Sequence, residues 1–350
     1  MGIKDWNAGI IRPVAVAPTG AFNDSVASGI WTIQQVAYWR NQSLWPIANN
    51  LSPIAYWAGG SVSGPGRVNV IQYVKITSLG NTSDWGDLIT ARSEVAGCAS
   101  STRGIIAGGY NVGGNRQSSI EFITISTSGS SSSFGDLISG SNEHAGLSNS
   151  TRGVFGGGQN EADNTTNVIS YITIASEGGA TDFGDLSSKR YGQFGCASTT
   201  RGLFAGGATQ VGGDQYGVTA IQYITIATTG NAQTFGDLTV RRARGDAVSS
   251  STRGVFLGGN SGDSPFTENS VIDYVTIATT GNATSFGSLA ENSRKGAASC
   301  SEIRGLVSVS NSSNVINYIT IATTGNGLDF GDLLNSPEEP AGFSNAHGGL

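Results

Sequence analysis

The sequence predicts an all-β fold: a six-bladed β-propeller closed by pairing of its N- and C-terminal strands, preceded by an extended arm. Three observations predict it. First, an aromatic–glycine pair recurs at Trp85, Phe134, Phe183, Phe235, Phe286 and Phe330, with spacings of 49, 49, 52, 51 and 44 residues. Second, each interval holds four short runs of β-branched and aromatic residues bounded by turn residues. Third, the repeat is out of phase at its ends. Segment 54–60 matches a second strand and segment 341–346 matches a first strand, so each end supplies what the other lacks. Closing a ring in this way removes open sheet edges.

The unit around Gly195 shows the pattern. A small, polar run at 195–199 leads into a tight turn at Thr200, Arg201 and Gly202. The second run, 203–205, closes on the doublet Gly206-Gly207, and the third, 220–226, contains Tyr223. Thr228 to Asn231 read as a hairpin turn, because Gly and Asn tolerate positive φ. The fourth run, 234–238, contains Phe235.

Composition agrees. The 52 glycines in 350 residues are roughly twice ordinary usage, which suits many tight turns. Net charge is −6, against a protein that mainly grips nucleic acid. The basic clusters Arg241-Arg242-Ala243-Arg244 and Arg294-Lys295 read as solvated loops. Cys98, Cys196 and Cys300 fall in first strands of separate blades and read as small buried side chains, with no disulfide framework. No signal peptide or membrane-spanning run is expected.

The order of parts resembles kelch repeats. A glycine doublet ends the second strand at Gly108-Gly109, Gly157-Gly158, Gly206-Gly207 and Gly258-Gly259. A Tyr or Phe follows in the third strand and an aromatic in the fourth. Four-stranded units of about 50 residues are the size of such blades. The last unit departs, with Val309-Ser310 in place of the doublet.

Residues 1–50 lie outside the repeat, and 51–350 form the propeller. Pro13 and Pro18 keep the start extended. Thr32 and Gln35 have capping-box spacing, which predicts a short helix at 33–42 ending before Pro46. Trp31, Trp39 and Trp45 are half of the six tryptophans. Either they pack on the propeller flank or they dock into a partner.

Repetition separates scaffold from site. The Ser-Thr-Arg-Gly turn and the Thr-Thr-Gly-Asn turn are nearly constant and should share one face. The second-to-third loops (110–119, 159–167, 208–219, 260–270, 311–314) and the blade-linking loops vary and should share the other. Binding is usually built on variable loops over a rigid scaffold, so the candidate ligand-binding residues are Tyr110, Arg116, Asp163, Asp214, Tyr216, Asp263 and Phe266. The repeated Asp87, Asp136, Asp185, Asp237 and Asp332 read as acceptors of backbone N–H bonds. The repeated Arg103, Arg152, Arg201, Arg253 and Arg304 read as ties between blades. His144 and His347 form no triad or metal spacing, and no phosphate loop or cofactor motif is present. Asp163, Glu161, Asp214, Asp263 and Glu268 leave a glycosidase carboxylate pair open, although solubility is the simpler reading. The expectation is a non-enzymatic protein without metal or cofactor.

The N-terminal segment resembles structural proteins of marine tailed bacteriophages, cyanophages among them. The resemblance is carried by Ile10-Ile11-Arg12-Pro13, Ser28-Gly29-Ile30-Trp31-Thr32-Ile33-Gln34-Gln35 and the run from Ala37 to Pro46. It implies a virion component made in the host cytoplasm and present in several copies on the particle. In that reading Trp31, Trp39 and Trp45 dock onto other virion proteins, and a tail-fibre-like propeller meets a host-surface glycan or protein. It implies neither nucleic-acid binding nor membrane insertion. A capsid decoration protein and a glycan-cleaving enzyme are the alternatives.

Overall fold

The computed structural model describes residues 52–346, except 65, 212, 213, 262, 264, 265 and 310–312. The chain divides into two compact units, Met1–Ser52 and Pro53–Leu350. The expected arm, its helix at 33–42 and its three tryptophans lie outside the described residues, as does His347.

The second unit is a six-bladed β-propeller of antiparallel four-stranded sheets. Blade 1 joins both ends of the unit in the order Ala341–Ser344, Ile54–Ala58, Val70–Lys75, Ser83–Asp87. The expected closure is therefore present, with Ala55 opposite Ser344 and Ala58 opposite Ala341. In blades 2 to 6 the first strands are Ala96–Ala99, Ala145–Ser148, Phe194–Ala197, Asp246–Ser249 and Ala298–Cys300. With Ala341–Ser344 these inner strands adjoin one another in a closed circle around a central channel. Blade 6 keeps its register despite lacking a glycine doublet: Arg304–Ser308 pairs with Val315–Thr320 throughout. No helix occurs among the described residues.

Six apolar clusters lie between the blades, each drawing on two neighbours. Alternation within each strand explains them, since successive side chains point to opposite faces and every blade is buried on both. Inside each blade the third-strand aromatic meets the fourth-strand aromatic edge-on. Tyr171 and Phe183, for example, have centroids 5.9 Å apart. At the seam between blades 6 and 1, Trp57 is fully buried and its indole N–H donates to the Ala297 carbonyl at 3.0 Å.

The constant turns tie each blade to the next. Arg152 stacks over Tyr171 of its own blade at 4.2 Å and donates to the Ile226 carbonyl of the next at 2.7 Å. Arg103, Arg201, Arg253 and Arg304 do the same with Ile174, Ile277, Ile321 and Ile76. The third-to-fourth turns bond backwards: Gly129 N–H donates to the Trp85 carbonyl, and Gly80 N–H to that of Phe330. This contact explains the aromatic–glycine pair, because a Cβ on Gly86 would lie 2.4 Å from the Gly129 oxygen. The repeated Asp acts differently from expectation. Its backbone carbonyl accepts the next blade's N–H, as from Ser131 to Asp87. The carboxylates of Asp136 and Asp237 accept hydroxyls from Ser118 and Thr219.

Cys98, Cys196 and Cys300 are free and buried, as expected, and burial pushes the Cys98 thiol up to about 12.

Candidate functional site: the channel mouth on the variable face

The blade-linking segments and the second-to-third loops meet on one face, where they pair in short sheets. Arg92–Ser93 pairs with Tyr110–Asn111, and Ser141–Asn142 pairs with Gln159–Asn160. Nine residues after each repeat aromatic stand Glu94, Glu143, Gly192, Arg244, Lys295 and Glu339. All six have left-handed backbone, with φ between 48° and 61°. Each N–H donates to the carbonyl of the one before: Glu143 to Glu94, Gly192 to Glu143, Arg244 to Gly192, Lys295 to Arg244, Glu339 to Lys295 and Glu94 to Glu339. Six hydrogen bonds thus close a circle around the channel. Left-handed backbone costs a non-glycine residue about 1 kcal/mol, so five of the six positions carry strain that the circle holds in place.

The side chains of this circle line a cavity of about 150 Å³. Four of them form two ion pairs: Arg244 with Glu143 at 2.8 Å, and Lys295 with Glu339 at 2.7 Å. Among the described residues Glu94 forms no ion pair; it accepts the Asn142 amide, and Lys295 acts on it only weakly. Burial, then the neighbouring Glu339 and Glu143, push its carboxyl up to about 7. Deeper in the channel, burial pushes Asp246 up to about 8.

The predicted loop residues form two groups around this mouth. Tyr110 lies between the guanidinium groups of Arg67 and Arg116, at 5.3 and 4.8 Å. Arg116 bonds Asn142 and pairs with Asp163, which binds the loops of blades 2 and 3 together. Asp263 accepts Gly217 N–H at 2.9 Å and pairs with Arg241 at 2.6 Å, joining blades 5 and 4. Phe266 lies 5.8 Å from the Arg244 guanidinium, which also sits 5.3 Å from Tyr191. Arg244 and Glu143 therefore connect the Phe266 side of the mouth to the Asn142–Arg116 side. Tyr216 is exposed on the strand Asp214–Gly217. The side chain of Asp214 lies outside the described residues.

One expectation is overturned. Arg242 and Arg244 are not in a solvated loop. Arg242 is fully buried and pairs with Asp273 at 2.9 Å, and Arg92 pairs likewise with Glu121 at 3.0 Å. Arg294 and Lys295 are also engaged, with Glu268 and Glu339. The signal was in the repeat. Position seven after the aromatic reads Arg92, Ser141, Arg190, Arg242, Ser293 and Pro337. The middle of the following third strand reads Glu121, Ser170, Gln222, Asp273, Asn317 and Gln72. An acid stands only where an arginine does.

His144, beside the mouth, is 7% exposed, and neither ring nitrogen has a hydrogen-bond partner among the described residues. Burial, then Arg92, push it down to about 4. Among the described residues no group of three or more His, Cys, Asp or Glu is placed to hold a metal ion.

No family model matches the chain, and no curated protein matches it.

Proposed function

We propose that this chain is a virion structural protein of a tailed bacteriophage, of the tail-fibre or appendage kind. Residues 1–50 dock on the particle and a kelch-like propeller presents its variable face to the host surface. The observation that carries the reading is the division of the propeller into two unlike faces. One face is built from the same turn, the same arginine tie and the same backbone bonds in blade after blade. The other carries a belt that does not repeat, in which Tyr110, Arg116, Arg244 and Phe266 lie around a polar channel mouth, with Tyr191 fully buried beneath Arg244. Aromatic and arginine side chains on rigid supports are the usual anchors of a recognition surface. The resemblance of segments 10–13, 28–35 and 37–46 to phage structural proteins supplies the setting. Asp163, Asp263 and Glu268 are each paired with an arginine, which favours binding over glycan cleavage.

Antibody labelling of purified particles tests the location. Label on the tail or its appendages is expected, label on the capsid would make the chain a decoration protein, and absence of label would overturn the reading. Competition of particle adsorption by the purified chain tests host contact.

A further inference from the structure

We propose that the channel mouth binds a protonated primary amine, held by the Glu94 carboxylate and the free oxygen of Glu143. The inference rests on reading the variable face as the contact surface and names what that face takes. The circle carries three carboxylates and two cations, and the cations are ion-paired with Glu143 and Glu339, Lys295 acting only secondarily on Glu94. Glu94 is the remaining charge. Asp246 adds little at neutral pH, because burial holds its carboxyl up.

A second observation points into the same space. The Glu143 side chain is only 9% exposed, one oxygen pairs with Arg244, and the other, on the cavity wall, has no partner among the described residues. A buried carboxylate oxygen without a donor is costly. An ammonium brings one positive charge and three donors, which matches one surplus charge and unfilled acceptor sites. A divalent ion matches less well, since among the described residues no grouping of three ligands converges. A cavity of about this volume accepts a benzene-sized molecule, so the amine and the carbons next to it enter while the rest of the ligand stays outside. The amine can belong to an amino sugar or to a lysine side chain.

Calorimetric titration of the full chain at pH 7.5 decides this, using glucosamine, glucose and an N-acetyl-lysine amide as probes. Saturable binding of at least one amine, with none of glucose, is expected, and the tighter amine identifies the source. Glu94→Gln keeps the shape and removes the surplus charge, and should weaken amine binding roughly tenfold, the loss of one charge-assisted hydrogen bond. Equal binding of glucose and glucosamine, no binding of either amine, or an unchanged affinity in Glu94→Gln would each overturn the proposal. Particles that adsorb to cells while the chain ignores both amines would sink this inference alone. Amine binding without host contact would sink the host reading alone.

Discussion

Phe343, from the last strand, stacks on Tyr56, from the first, with ring centroids 5.2 Å apart and planes 13° from parallel. The two residues are also directly opposite in the strand pairing that closes the ring. The same Phe343 ring fills the space beside Gly104 of blade 2, where a Cβ would lie 2.1 Å away. One side chain therefore joins the two ends of the unit to each other and to the neighbouring blade.

Phe343→Ala should destabilise the propeller by about 3–5 kcal/mol, the usual range for truncating a buried Phe. Deleting residues 340–350 should do more, because Ile54–Ala58 becomes an open edge strand that invites aggregation. Thermal melting and light scattering check both. A truncated chain that melts at the wild-type temperature and stays monodisperse would contradict closure by the two ends.

The pair between Arg242 and Asp273 makes a different prediction. Both side chains are fully buried, and Arg242 also donates to the carbonyls of Gly258 and Val271. Burial lowers the Arg242 pKa to about 10 against the opposing pull of Asp273, so the group stays charged. Asp273→Ala leaves that charge uncompensated and should cost about 3–5 kcal/mol. Arg242→Met with Asp273→Ala removes both charges and should cost less than the single change, a non-additivity that denaturant unfolding measures. Additive losses would mean that the pair is not coupled.

The sequence disclosed the repeat, the blade number and the closure because these depend on residue type at fixed spacing. The arginine turns were legible for the same reason: Arg103 and its equivalents recur in step with the aromatic of the third strand. The buried pairs were not legible segment by segment, because Arg92 and Glu121 lie on different strands and each reads locally as solvent-facing; only alignment of the repeats sets each acid against an arginine. The left-handed circle was hidden too. Of its six members only Gly192 belongs to a residue type that signals positive φ, and Glu94, Glu143, Arg244, Lys295 and Glu339 do not. Of the loop residues chosen as candidates, Tyr110, Arg116 and Asp163 meet, whereas Asp263 joins a separate group. Which loops meet follows from the linkers pairing with them, as Ser93 does with Tyr110.

His144 should make the propeller acid-sensitive. Its ring packs edge-on against Phe155 at 5.8 Å and has no partner for either nitrogen among the described residues. Its pKa falls from the ordinary 6.5 to about 4. The unfolded chain then binds more protons than the folded one between those values, so stability falls as pH drops from about 6.5 to about 4. The loss is on the order of 3 kcal/mol, from the size of the shift. His144→Leu removes the titration, so its melting temperature should exceed wild type by more at pH 4.5 than at pH 7.5. A gap that is the same at both would count against a neutral buried imidazole.

Asp246 should act in the opposite direction. It begins the inner strand of blade 5 and faces the channel, against Gly296, where a Cβ would lie 3.0 Å from a carboxylate oxygen. Burial raises its carboxyl from the ordinary 3.8 to about 8. The folded chain now holds a proton that the unfolded chain has lost, so the stability contributed by the protonated group is full below about 3.8 and declines as pH rises to about 8. Asp246→Asn keeps the shape and has no charge to bury. The variant should therefore match wild type near pH 4 and melt progressively higher above it, with the gap levelling off past pH 8. Because Asp246 is partly open to the channel, water there moderates the size of the gap without changing its sign. A melting difference that shrinks with rising pH would show that the carboxylate is stabilised in the channel rather than strained by it.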